Sequence, residues 1–216
     1  MGNLKRGTRI VIANSISVTK TINVKIRNDS LLKTTNVDER EVIVAGFGGG
    51  SLYVKDNVAA DFPLFTFGDV NPSGITFSNL YVESFINFLK FKPVGSVSYR
   101  DITIKDCYFN GVTEAISLTS SASVPVSRVK ILNNRFVNTN VHKSGGTTLI
   151  FLYSVMSGNT FGSISGSYLY LNSSNFSDNV TSGPLEINGT DSVLSGNVFN
   201  QLAFNSNAVR LSVTDN

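Results

Sequence analysis

Tryptophan is absent from this 216-residue chain, which also has one cysteine, Cys107, and one histidine, His142. A single cysteine excludes an internal disulfide framework and a cysteine-based zinc cluster, and a single histidine argues against a histidine-rich metal site. No cofactor and no metal ion is therefore expected. Charge is also scarce: 15% of residues are Asp, Glu, Lys or Arg, well below the usual quarter of a globular chain. Lys and Arg outnumber Asp and Glu by only 18 to 15. The densest basic stretch is Lys5-Arg6 with Arg9, too sparse for nucleic acid. No run of eighteen apolar residues occurs, which excludes a membrane-spanning helix. Residues 1–30 lack the charged, apolar and small-residue blocks of a signal peptide. With 41% hydrophobic residues and a net charge of +3, the chain is too apolar to be disordered.

The surplus residues are asparagine and serine, 24 and 28 of them. Both are poor inside helices and good in turns. Val, Ile, Phe, Thr and Tyr supply much of the rest and favour strands, so the composition predicts an all-β protein rich in turns. Asn-x-Ser/Thr triplets occur at Asn28, Asn172, Asn175, Asn179 and Asn188, as chance allows in such a composition.

A repeat runs through the chain: apolar, any, apolar, then a polar turn with Asn, any residue, and an aromatic. Copies are Ile75–Tyr81, Ile102–Phe109, Val129–Phe136, Val155–Phe161 and Val193–Phe199, with a degenerate one from Leu169 to Phe176. The spacing predicts wide solenoid coils of about 20–28 residues. Alternation puts Ile102 and Ile104 on one face and Thr103 and Lys105 on the other. Stacked coils would align Phe109, Phe136 and Phe161, and would make an internal ladder of Asn79, Asn134, Asn159 and Asn197. Cys107 takes the Asn position in its copy and reads as a buried filler, not a nucleophile. A second short strand recurs at Ile86–Phe88, Ile116–Leu118, Leu169–Leu171 and Leu185–Ile187.

These Asn-x-aromatic coils resemble the right-handed, single-stranded parallel β-helix of the pectate lyase-like superfamily. The opening segments, Gly7–Ile12, Ser17–Thr19, Thr21–Ile26 and Ser30–Leu32, resemble the first coils of bacteriophage tailspike proteins, and Val42–Gly46 and Phe65–Gly68 continue them. The pattern starts almost at Met1 and breaks off inside a repeat at Asn216. One β-helix domain over 1–216, incomplete at its C-terminal end, is the expectation. The resemblance implies a tailspike-like domain of a virion (phage tail) or of the extracellular surface. Its partners would be a bacterial surface polysaccharide (capsule or O-antigen), further copies in a homotrimer, and other virion or tail proteins. Such domains bind polysaccharide and many depolymerise it. The alternative is a non-catalytic structural or adhesin β-helix.

Glycosidic hydrolysis needs two carboxyl groups about 5–9.5 Å apart. Aligning Ile86 with Ile116 brings Glu83 and Glu114 to one edge of adjacent coils, and these are the candidate catalytic pair. A lyase would instead need clustered Asp for Ca²⁺ with a Lys or Arg base. Arg128, Lys130 and Arg135 share a coil beside Asp106, but no tight Asp cluster accompanies them, so a hydrolase fits better. For substrate binding, alternation turns Tyr108, Lys130, Arg135 and Tyr170 outward, where aromatic faces could stack on sugars. Gly48-Gly49-Gly50 lacks the Lys-Ser/Thr of a phosphate loop and reads as a sharp turn.

Overall fold

The computed structural model describes residues 9–12, 16–17, 22–24, 42–46, 51–53, 60–67, 73–83, 85–91, 99–118, 124–142, 149–162 and 167–216, with most side chains from residue 64 onward. Lys5, Arg6, Asn28, Ser30–Leu32 and the Gly48–Gly50 turn lie outside them. Every regular element among the described residues is a β-strand, and the strands pair in parallel as successive coils of a β-helix.

One row of strands is Ser73–Ser78, Tyr99–Lys105, Lys130–Leu132, Val155–Ser157, Asn175–Ser177, Val193–Ser195 and Ser212–Thr214, each paired with the next. Alternation sends Ile75, Phe77, Ile102, Ile104, Ile131, Met156, Phe176 and Leu194 inward, where all are buried. A second row starts just after it: Tyr81–Glu83, Tyr108–Asn110, Arg135–Val137 and Thr160–Phe161, continuing into Val180–Thr190 and Val198–Phe204. A separate sheet stacks Ile22–Val24, Ala60–Phe67, Phe85–Phe91 and Glu114–Leu118.

The corner between the first two rows has one construction in every coil whose corner is among the described residues. A residue in the left-handed region comes first: Asn79, Asp106, Asn133, Gly158, Asp178, Gly196 and Asp215 all have positive φ. Asn, Asp and Gly tolerate that region best. The next residue points inward, and from Cys107 on it forms a ladder. Asn134 Oδ1 accepts the Cys107 N–H at 3.0 Å, and Asn159 Oδ1 accepts the Asn134 N–H at 2.9 Å. Asn179, Asn197 and Asn216 continue the series. Each amide also donates to a strand carbonyl one coil back, as Asn159 Nδ2 does to Ile131 O at 2.8 Å. The corner turn leaves these backbone groups without sheet partners, and the ladder supplies them inside a dry core.

The preceding corner repeats the device with serine. Asp101, Arg128, Tyr153, Ser173, Asp191 and Arg210 have positive φ. Ser154 Oγ accepts the Val129 N–H, Ser174 Oγ the Ser154 N–H, and Ser192 Oγ the Ser174 N–H, at 3.0–3.1 Å. Arg and Tyr are costly in the left-handed region, by about 1–2 kcal/mol each, so the corner is imposed by the bonds around it. The ladders hold although the sequence separation of their rungs falls from 27 residues to 25, 20, 18 and 19.

Phenylalanines fill the space beside the Asn ladder. Phe109, Phe136 and Phe161 stack as expected, with ring centroids 4.9 and 5.1 Å apart. In the next coil the register places Thr181 where the aromatic would be. Phe176, from the adjoining row, swings into the stack instead, 6.1 Å from Phe161 and 6.0 Å from Phe199.

Three expectations change. Asn79 is not a ladder residue: it is exposed at the left-handed position, and buried Leu80 holds the inward one. The register of Tyr81 on Tyr108 requires this. Asn179, in turn, does belong to the ladder, and Asn216, the asparagine of the last repeat, joins it. The four segments grouped as a second short strand split in two, because Leu169–Leu171 pairs with Ile187–Gly189 and with the strand Leu149–Leu152, not with the Phe85–Phe91 sheet.

Asn159→Leu should strip partners from the Asn134 N–H and the Ile131 carbonyl, with a loss of about 2–4 kcal/mol in urea denaturation. A loss below about 0.5 kcal/mol would mean that the ladder bonds are replaceable. Cys107 is 3% exposed and burial pushes its thiol up to about 12. Its Sγ lies 3.2 Å from Lys105 O and 3.8 Å from Phe77 O, the acceptors an Asn amide would use there. Ellman's reagent should therefore leave it untouched in the native protein and react at once in urea.

Candidate functional site

The first residue of each second-row strand points outward, so the register builds a column of Tyr81, Tyr108 and Arg135. The two tyrosine rings lie 4.7 Å apart and 9° from parallel. The Arg135 guanidinium carbon sits over the other side of Tyr108, 5.6 Å from the ring centre, a cation–π contact. Both faces of Tyr108 are thus occupied. The stacking of a sugar on that ring is excluded, and the column offers its edges, its phenol oxygens and the guanidinium rim.

Two residues further along, the next outward row is Glu83, Asn110 and Val137. Tyr81 Oη donates to Glu83 Oε1 at 2.7 Å, and Asn110 Nδ2 donates to the same oxygen at 3.4 Å. The hydrogen bond to Glu83, followed by desolvation and the carboxylate charge, pushes the Tyr81 phenol up to about 12. Tyr81 is a donor at neutral pH. The column is polar along its length, with a carboxylate beside one end and a guanidinium at the other.

Glu83 and Glu114 are not brought together as the sequence alignment implied. Ile86 is 37% exposed, because Phe85, Phe88 and Leu89 take the core. Ile116 therefore pairs with Leu89, and Glu114 with Asn87, while Glu83 pairs with Asn110. The two carboxylates sit on different sheets with different partners. Glu114 Oε1 lies 2.6 Å from Nδ1 of His142, and its Oε2 accepts from Asn87 Nδ2 at 3.4 Å. His142 is buried, its Nδ1 also 3.1 Å from Ile116 O, and its Nε2 has no hydrogen-bond partner among the described residues.

Lys130 is exposed on the first row, level with Thr103 and Val155. Tyr170 does point outward between buried Leu169 and Leu171, but it is level with Ile150 and Asn188 and belongs to another row. Of the four binding candidates only Tyr108 and Arg135 share a column. The sequence reading missed Tyr81, whose signal was its place one repeat before Tyr108, and His142, which carries no repeat signal. Of the glycan triplets, Asn179 and Asn188 are buried, at 0% and 4% exposure, which excludes them as acceptors in this fold. Among the described residues no group of three His, Cys, Asp or Glu is placed to hold a metal ion.

No protein-family profile matches the chain, and no curated protein sequence matches it. Among solved structures it is similar to an alginate lyase from Paenibacillus sp. str. FPU-7, at 15% identity and a TM-score of 0.27, over 99% of this chain and 94% of that one. A score that low carries neither fold nor activity from one chain to the other.

Tyr81 should ionise well above the ordinary tyrosine range in a spectrophotometric titration, and Glu83→Gln should bring it down toward 10, since the charged acceptor is the main cause. Because the folded value is raised, this contact stabilises the fold fully below pH 10 and is lost as pH rises through about 12.

Proposed function

We propose that this chain is a tailspike-like, right-handed parallel β-helix that recognises a bacterial surface polysaccharide, capsule or O-antigen, on its outer face. The observation that carries the reading is the Tyr81–Tyr108–Arg135 column flanked by Glu83. An extended polymer lying along the solenoid would meet hydroxyl donors, a carboxylate acceptor and a guanidinium in turn, one coil at a time. Lys130 and Tyr170 extend the polar surface on neighbouring rows. The setting proposed is a virion or the extracellular space, with a homotrimer and other tail proteins as partners. Depolymerisation is the further step, with Glu83 or Glu114 as one of its carboxyl groups. Their separate rows argue against a tight retaining pair.

A second reading, a structural or adhesin β-helix, is favoured by the later coils. There the first row and the start of the second turn outward Val155, Ser157, Thr160, Asn175, Ser177, Val180, Val193, Ser195 and Val198, none of them charged.

Incubation with a panel of capsular and O-antigen polysaccharides tests both readings, with binding followed by affinity electrophoresis and cleavage by new reducing ends. Binding weakened at least tenfold by Tyr81→Ala with Tyr108→Ala supports recognition. Released oligosaccharide that disappears in Glu83→Gln or Glu114→Gln establishes a depolymerase. The absence of both binding and cleavage across the panel leaves the structural reading.

A further inference from the structure

Two exposed arginines of this protein already hold carboxylates. Arg128 gives Nε to Asp101 Oδ1 at 2.6 Å and Nη2 to Oδ2 at 2.7 Å, one coil apart. Arg210 grips Asp191 in the same way, with Nη2 to Oδ2 at 2.7 Å. The fork of a guanidinium fits both oxygens of a carboxylate in one plane. The paired Arg128 guanidinium holds Asp101 below the usual carboxylate range.

Arg135 differs from these two. It is exposed, one side of its guanidinium lies over Tyr108, and its side chain makes no hydrogen bond or ion pair with any described residue. Packing on the ring restricts the guanidinium's orientation and leaves its N–H rim open, so the fork is pre-organised and empty. Lys130 opens the first-row strand of the same coil, and Lys105 closes that of the coil before. Both are exposed, and neither is paired with an acid among the described residues. Of the nearby acids, Asp101 is neutralised by Arg128, Glu83 keeps its charge beside the neutral Tyr81 phenol, and exposed Asp106 holds only an Asn133 amide at 3.4 Å. Lys105, Lys130 and Arg135 outnumber the charged Glu83 and Asp106, so the charge around the column is net positive.

We infer that the polysaccharide is anionic and carries carboxylate groups, with one of them received bidentately by Arg135 and its neighbours drawn by Lys105 and Lys130. This rests on the recognition reading above and names the chemical class of its ligand. Glu83, at the far end of the column, repels a second carboxylate and accepts hydroxyls. The proposal therefore assigns the acidic sugar to the Arg135 end and a neutral one to the Tyr81 end. Binding of this kind weakens steeply with salt.

The test compares each polysaccharide that binds in the panel with its own carboxyl-reduced form, made with carbodiimide and borohydride. The expected result is at least a tenfold loss on carboxyl reduction and a comparable loss in Arg135→Gln. Arg135→Lys, which keeps the charge but not the fork, should fall between. Urea midpoints of both variants should match the parent, since the side chain is exposed. Equal binding of the reduced form, or ligands that are all neutral, overturns the inference while recognition stands. Binding of a single-stranded oligonucleotide as tight as that of the glycan also overturns it, since the face would then read only polyanion charge. If nothing in the panel binds, the inference falls together with the recognition reading.

Discussion

A chain that turns a corner inside its own core must find partners for the backbone groups it exposes there. In the coils of Ser154, Ser174 and Ser192 that requirement is met twice, by an inward asparagine at one corner and an inward serine at the one before it. Each side chain accepts the N–H of its counterpart one coil earlier and donates to a strand carbonyl. The left-handed residue before it makes the turn, and the ladder makes the turn affordable even where that residue is Arg or Tyr. The strand rows, the phenylalanine stack and the outward columns all inherit their alignment from these corners.

That dependence decides what could be read in the sequence. An asparagine two residues before an aromatic is a polar residue in a core context, and its recurrence betrayed the coils and the Phe109–Phe136–Phe161 stack. The same corner also misled. Its left-handed and inward positions are adjacent and both accept asparagine, so Asn79 read as a rung when Leu80 fills that place. Asn179 was hidden because its aromatic slot holds Thr181, with Phe176 supplying the ring from a different row. Glu83 and Glu114 were misaligned because Phe85–Phe91 is nearly continuous in apolar residues. A run of that kind gives no clue to which residue faces inward, and exposed Ile86 was taken for a core position. Tyr108 and Arg135 were legible as outward residues. That they touch, with Tyr81 on the other side, depends on the register between coils, which no single copy contains.

The column at the surface has the opposite character to the ladder inside. The ladder is self-satisfied: each rung has its partner in the next coil. The Tyr81–Tyr108–Arg135 column is satisfied in its stacking and at Glu83, yet ends in a guanidinium with no acid of its own. Arg128 and Arg210 are what such a group becomes when the chain supplies the acid itself. A similar contrast holds in the Asn87–Glu114–His142 cluster, where one histidine nitrogen has close acceptors and the other has none among the described residues.

From Ile102 and Cys107 through Val129 and Asn134, Ser154 and Asn159, Ser174 and Asn179, Ser192 and Asn197, to Leu211 and Asn216, the two corners keep one spacing of five residues. The remainder of each repeat does not, since rung-to-rung separations range from 27 residues down to 18. The fold thus measures phase locally and is indifferent to total length. Insertions and deletions outside the corner pair leave every rung in place, so that part of each coil is open to evolutionary editing. A single residue gained or lost between the corners would put one of the two ladders out of step.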